Sequence, residues 1–294
     1  MKKRIVFILL VLFTITQIFA LTWEELLEKA NNGDAESMRE LGVQYYNGGY
    51  VEKNVYEAFK WFLKSAENGN IHAQYAVAYM YEIGEGVSQD SSKAFYWYKT
   101  SSENGNTETY VELAYKYYSG YGCDVDYEKA AYWYNQGATL GKEVAEHSLG
   151  YLYMEGEGVE QNNEKAIYWF KKSAAKGRKG SYLHLAKLIY KEEYVSDYWL
   201  AHKYLKILAE EDNNAEAQYH LGLSYVDGLG VTADAQKGFE WMMKAAEQQN
   251  TDAMYKLADM YRDGIGTAMD TVKANEWEDA AYDIEWGWLY DLWF

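Results

Sequence analysis

The sequence predicts an all-α fold: an α/α solenoid of seven 36-residue helix-turn-helix repeats. Two aromatic ladders and one small-residue slot carry that prediction. Trp61, Trp97, Trp133, Trp169, Trp241 and Trp277 fall on a ladder of step 36, with Leu205 on the remaining rung. Tyr45, Tyr81, Tyr117, Tyr153, Tyr225 and Tyr261 keep the same step, with Ile189 in the gap. A third position holds Gly42, Ala78, Ala114, Gly150, Ala186, Gly222 and Ala258, so it accepts only the two smallest residues and demands close approach of two helices. Self-similarity at a fixed period of about 20–50 residues is the mark of stacked supersecondary units.

The chain opens with a basic Met1–Arg4 (MKKR), an apolar run Ile5–Ile18 and a small residue at Ala20. That is the layout of a signal peptide over 1–20, with cleavage expected near Ala20. An uncleaved anchor is the alternative, although the 17 residues from Ile5 to Leu21 stand at the lower limit for a membrane span. Either reading places the rest of the chain outside the cytoplasm, in a bacterial periplasm or the extracellular space, with membrane contact only through this segment. Thr22-Trp-Glu-Glu25 then forms a capping box. The helix it opens makes residues 21–33 a half repeat, the polar end cap that a solenoid requires.

Seven repeats over 34–285 follow, with frames beginning at Asp34, Ile71, Thr107, Glu143, Lys179, Asn214 and Thr251. In each, a first helix presents positions such as Ala217, Leu221, Gly222 and Tyr225 on one face. It ends at a glycine, Gly48, Gly84, Gly120, Gly156, Gly228 or Gly264, suited to the left-handed cap. The loop GEGV at 84–87 and 156–159 is therefore a turn between helices, since it lacks the Lys and Ser/Thr of a phosphate loop and its Glu85 and Glu157 would repel phosphate. The second helix starts after Asn54, Asp90, Asp126, Asn162, Tyr198, Asp234 and Asp270, an N-cap residue in six of the seven.

The pattern L-G-x-x-Y-x-x-G-x-G-V, a capping Asp/Asn, then K-A-x-x-W-x-x-K-A-A-x-x-G resembles the Sel-one-like repeat (SLR) family of tetratricopeptide-like hairpins. Leu221–Ala246 matches with little departure, and the resemblance extends over about Asp34–Ala281. It implies a right-handed superhelix whose first helices line a concave face, and a role as an adaptor for protein–protein contacts. Repeat five departs, with Glu192 and Tyr194 where the loop glycines belong and Leu205 for Trp. It reads as a degenerate repeat, or as a bend or partner site given Tyr190, Tyr194, Tyr198, Trp199 and Tyr204. The aromatic stretch 286–294 fits no repeat, and is expected to fold back over the last helix pair or to dock a partner.

The regular Trp ladder reads as core packing rather than a sugar platform. Variable tyrosines are better contact candidates: Tyr79, Tyr115 and Tyr151 share one first-helix slot, beside Tyr46 and Tyr118, with Tyr190, Tyr194 and Trp199 of repeat five as further candidates. Ser173-Ala-Ala-Lys176 spells the S-x-x-K of penicillin-recognising enzymes. Its slot, however, also holds Ser65, Ser101, Gly137, Ala209, Ala245 and Ala281, a packing position, and no companion motif exists. Cys123 stands in a valine slot, and a single Cys permits no intramolecular disulfide. His184 and His220 share a slot that otherwise reads as solvated, so neither metal nor cofactor is expected. The net charge of −17 disfavours nucleic acid. The reading is an exported, monomeric, non-enzymatic scaffold that holds a basic or extended protein segment. Binding of carbohydrate or peptidoglycan, and weak hydrolysis or binding of β-lactams, are the alternatives.

Overall fold

The computed structural model describes residues 22–191 and 197–290. The signal segment 1–20, Tyr194 and residues 291–294 lie outside them. Among the described residues there are 15 α-helices, one 3-10 turn and no strand, the all-α repeat solenoid the periodicity demands. They form two compact units that divide after Leu140. The first contains α1 Trp23–Asn31, α2 Ala35–Asn47, α3 Val55–Glu67, α4 Ile71–Ile83, α5 Ser91–Glu103, a 3-10 turn Thr107–Thr109, α6 Tyr110–Ser119 and α7 Tyr127–Thr139. The second contains α8 Glu143–Glu155, α9 Asn163–Ala175, α10 Gly180–Lys191, α11 Tyr198–Glu211, α12 Ala215–Asp227, α13 Ala235–Glu247, α14 Thr251–Asp263 and α15 Thr271–Tyr290. Within each unit every helix packs on the next.

Six of the seven hairpins, all but that of repeat five, are closed in the same way. The first helix stops where a glycine enters the left-handed region, as at Gly84 with φ 74°. The amide of the second helix's N-cap then donates to the ladder tyrosine's carbonyl, as Asp90 does to Tyr81 at 3.0 Å. The cap's carboxylate accepts from the amide three residues on, here Lys93 at 2.9 Å. Asn54, Asp126, Asn162, Asp234 and Asp270 repeat the arrangement. Replacing Asp234 by alanine should lower stability by about 1 kcal/mol in urea denaturation, the usual value of such a cap. The first helices have caps too, Asp34, Asn70, Asn214 and Asn250, each accepting from the amide three residues on.

The small-residue slot is a steric necessity. A Cβ on Gly42 would stand 2.6 Å from the Phe62 ring, and one on Gly150 2.9 Å from Phe170. The ladder tryptophans are half-buried and pack at the margin of the core. The interior is filled instead by their neighbours Phe62, Tyr98, Tyr134, Phe170 and Met242, with Leu41, Leu113, Leu149, Leu185, Leu221 and Leu257 from the first helices. A buried serine joins the two helices: Ser65 donates to the Ala35 carbonyl at 2.6 Å and Ser101 to that of Ile71 at 2.8 Å.

Repeat five corrects the strict 36-residue register. Its second helix begins at Tyr198 after Asp197, so the cap position is Asp197 and not Tyr198. The helix starts one position earlier in the 36-residue frame than that of repeat four and is 14 residues long where that one has 13. The buried face accordingly slips by one. Leu205 takes the fully buried place of Phe170, and the tryptophan's counterpart is Tyr204, stacked on Tyr182 at 4.2 Å much as Trp133 meets Tyr110. His202 packs edge-on against Tyr225 at 5.1 Å, the place Phe59 holds against Tyr81. The frame recovers at Asn213, whose φ of 50° replaces the closing glycine.

The first part of the C-terminal stretch continues the last helix. The left-handed closing residue of the other repeats, such as Gly69 or Gln249, is Glu285 here, and α15 runs on to Tyr290 with Trp286 46% exposed.

Candidate functional site

In the second unit, the first helices of three consecutive repeats, α8, α10 and α12, border a cavity of about 850 Å³. The period places Tyr151, Lys187 and Leu223 in one row across it and Glu155, Lys191 and Asp227 in another. Leu188 and Ser224 are buried at its floor, with Met154 and Leu229 beside them. Lys187 is answered by Glu216 at 2.6 Å, so Lys191 faces the two carboxylates Glu155 and Asp227 and the rim is slightly acidic.

Three imidazoles run along this face. His147 meets Ser181 through Nδ1 at 2.9 Å and lies 5.8 Å from the His184 ring, which stacks on Phe170 at 5.4 Å. His220 lines the cavity beside His184. The slot is thus half-buried, not solvated as its mixed composition suggests. Burial pushes His147 down to about 4, helped by Arg178 and His184, and holds His184 and His220 below the ordinary imidazole range. Among the described residues no group of three or more His, Cys, Asp or Glu gathers around a cation position.

Tyr190 stacks on Tyr198 at 5.8 Å and buries its hydroxyl toward Ser224 without closing a hydrogen bond. The Ser224 hydroxyl donates to the Leu221 carbonyl at 2.7 Å and meets His202 at 2.9 Å. Burial accordingly raises Tyr190 to about 12.

Of the candidate contact residues, Tyr151 and Tyr190 line this groove. Tyr46, Tyr79, Tyr115 and Tyr118 belong to the first unit, so the stripe of Tyr79, Tyr115 and Tyr151 is divided between two units. Tyr79 and Tyr115 are 46% and 54% exposed. Tyr46 is tied down, donating to Glu85 at 2.8 Å, and Tyr118 packs on Tyr127 at 5.3 Å. Trp199 lies on the second helix α11, away from the groove, 65% exposed beneath Lys203. Tyr194 lies outside the described residues.

The first unit also holds a feature the sequence reading missed. Lys116, with 6% of its side chain exposed, pairs with Glu82, which accepts from Tyr98 at 2.6 Å. The signal was present: Lys116 is a lone charge in a slot otherwise holding Gln44, Met80, Leu152, Leu188, Ser224 and Met260.

S-x-x-K is structural. Ser173 is fully buried and donates to the Glu143 carbonyl at 2.9 Å. Lys176 bonds the Gly141 carbonyl at 2.6 Å and neutralises the buried Glu146 at 2.6 Å. Ser173→Ala should therefore cost about 1 kcal/mol of stability in urea denaturation, the net worth of one hydrogen bond. Cys123 is half-buried near the Lys116 carbonyl, at 3.5 Å, and burial pushes its thiol up, away from nucleophilic character.

Paired helices in a fixed period, stacked so that first helices share a groove, define a helical-repeat solenoid. The family model for the Sel1 repeat matches residues 35–70, 71–106, 108–142, 144–177, 215–250 and 251–277, and the chain belongs to that family. The unmatched interval is repeat five, where the register slips. Among solved structures, the chain is similar to a protective antigen of uropathogenic Escherichia coli strains displaying an SLR fold, with TM-score 0.63 and 29% identity over 90% of this chain and 56% of that one. It thus spans little more than half that antigen's length. It is also similar to a Sel1 repeat protein from Oxalobacter formigenes, with TM-score 0.57 and 28% identity over 92% and 80% of the two chains. No curated protein matches significantly. Among the described residues no helix is long and apolar enough to cross a membrane.

Proposed function

We propose that this chain is an exported, non-enzymatic scaffold, monomeric in solution, that holds an extended segment of a partner protein in the groove of α8, α10 and α12. The observation that carries the reading is the groove itself: about 850 Å³ of open volume, with an apolar floor and an alternating charged rim. Recognition sites of this kind combine apolar walls with a few placed polar groups. Three adjacent repeats supply it, and extended surfaces are what stacked repeats produce. The acidic rim and the net charge of −17 favour a basic segment. The basic-apolar-small leader of residues 1–20 supports export, to a bacterial periplasm or beyond.

Affinity capture from an envelope extract tests this with two double variants of the chain. Tyr151→Ala with Leu223→Asp should abolish capture of the partner, whereas Tyr79→Ala with Tyr115→Ala should leave it intact, helical content being equal in both. The opposite pattern, or equal capture by both, would place the site elsewhere.

A further inference from the structure

The half-buried tryptophans of the second helices differ in what covers them. Lys64 lies 4.2 Å from the centre of Trp61, Lys172 4.9 Å from Trp169 and Lys244 3.9 Å from Trp241. Each is the residue one turn further along the same helix. A cation over the ring face satisfies the ring's negative quadrupole and covers its apolar surface with the lysine stem. In repeats two and three that position is Thr100 and Gln136, so Trp97 and Trp133 lack the cover their counterparts have.

At Trp133 the uncovered ring faces a cleft of about 520 Å³ in the first unit. Tyr132, 57% exposed, meets it edge-on at 5.1 Å and 84°, making an aromatic corner, and Tyr110 packs at 5.2 Å. Apart from Tyr117, the remaining wall is mostly polar, with Gln136 from the same helix and Lys99 and Glu103 from α5. The charges cancel locally, Lys99 facing Glu103 at 3.8 Å and Lys129 facing Asp126 at 2.6 Å.

We propose that this cleft binds a neutral oligosaccharide, seating the C–H face of one pyranose ring on Trp133. A pyranose presents an apolar face of polarised C–H groups, which suits the electron-rich ring, and a rim of hydroxyls that both donate and accept. The Gln136 amide, the Lys99 ammonium and the Glu103 carboxylate provide both kinds of partner around that rim. A cationic side chain would also suit a bare ring, but the Lys99 and Lys129 ammonium groups that line the same cleft would repel it. A purely apolar side chain would leave the polar wall unsatisfied. The site is separate from the α8–α10–α12 groove and does not depend on it.

Isothermal titration of the full chain with chitotetraose, cellotetraose and maltotetraose tests the proposal. At least one should bind saturably, and Trp133→Ala should weaken it by about tenfold or more, a loss of the size expected for one aromatic contact. Gln136→Lys guards against a folding defect, because it installs the residue that three other repeats carry beside their tryptophan. It should cap the ring and reduce binding to a similar extent while helical content and melting temperature stay unchanged. Trp241→Ala, at a ring already covered by Lys244, should leave the affinity as it was. Saturable binding of none of the three sugars would overturn the proposal. So would binding that survives both Trp133→Ala and Gln136→Lys.

Discussion

Gly122→Ala should lower the unfolding free energy by about 3–4 kcal/mol, combining left-handed strain with a backbone clash. Gly122 has φ 75°, and a Cβ there would stand 2.0 Å from the Ser91 carbonyl oxygen and 2.5 Å from its carbon. Ser91 is the first residue of α5, so the contact joins the loop of one repeat to the second helix of the repeat before. That helix start cannot move aside freely, because Asp90 anchors it through its own amide to the Tyr81 carbonyl and through its carboxylate to Lys93. Gly86 stands in the same way 2.3 Å from the Val55 carbonyl oxygen, and Gly266 2.1 Å from that of Ala235. The second loop glycine is thus the point where successive repeats touch backbone to backbone. Gly105→Ala is the control: its φ is 90°, but a Cβ would meet nothing within 4 Å. It should cost only the left-handed strain, about 1–2 kcal/mol. Urea denaturation followed by far-UV circular dichroism separates the two, and equal losses would refute the stacking role of Gly122.

Acidification should destabilise the second unit well before carboxylates titrate. His147 is held neutral by burial, with its pKa lowered from the ordinary value of 6.5 to about 4. The unfolded chain therefore takes up a proton as pH falls through about 6.5, while the folded chain does not until about 4. Stability is present above this window and is lost across it as pH falls, by about 2 kcal/mol at pH 5. His184, His202 and His220 are lowered in the same direction, each chiefly by burial, and add to the loss. The capping carboxylates Asp34, Asp90, Asp126 and Asp234 have depressed pKa values, so their contribution falls away only in a lower range, below that of unfolded aspartates. Urea denaturation at pH 7 and pH 5 checks this. His147→Gln should flatten the dependence, and a stability unchanged between the two pH values in the parent chain would contradict the burial argument.

Most of the fold was legible because stacking forces each repeat to reuse the same slots. The small-residue position, the left-handed glycines and the Asp/Asn caps recur at one spacing, and each has a single physical reason. The first-helix caps Asp34, Asn70, Asn214 and Asn250 were equally readable from that spacing, yet went unread. The register slip of repeat five was not visible, because α11 starts one position early in the frame and carries one residue more, which leaves the period of the chain intact. Only packing shows that Tyr204, not Leu205, answers to tryptophan. The site was half legible. Tyr151 and Tyr190 stood out as variable aromatics and His184 and His220 as one shared slot, but that the slot is half-buried, and that Lys187 and Leu223 join it, depends on contacts between the first helices of successive repeats. Fixed spacing also concealed a difference among the tryptophans. They share one ladder, and what distinguishes Trp133 is the absence of a lysine three positions on together with the cleft that its ring lines.

The central claim, that the α8–α10–α12 groove holds a partner segment, is tested most directly by photo-cross-linking in the producing cell. A photoreactive residue is placed in the groove at Tyr151 and, in a second chain, on the second helix α9 at Tyr168, which is 54% exposed. The account predicts a discrete adduct with one protein from position 151 and none from position 168. An adduct from position 168 alone, or none from either, would contradict it.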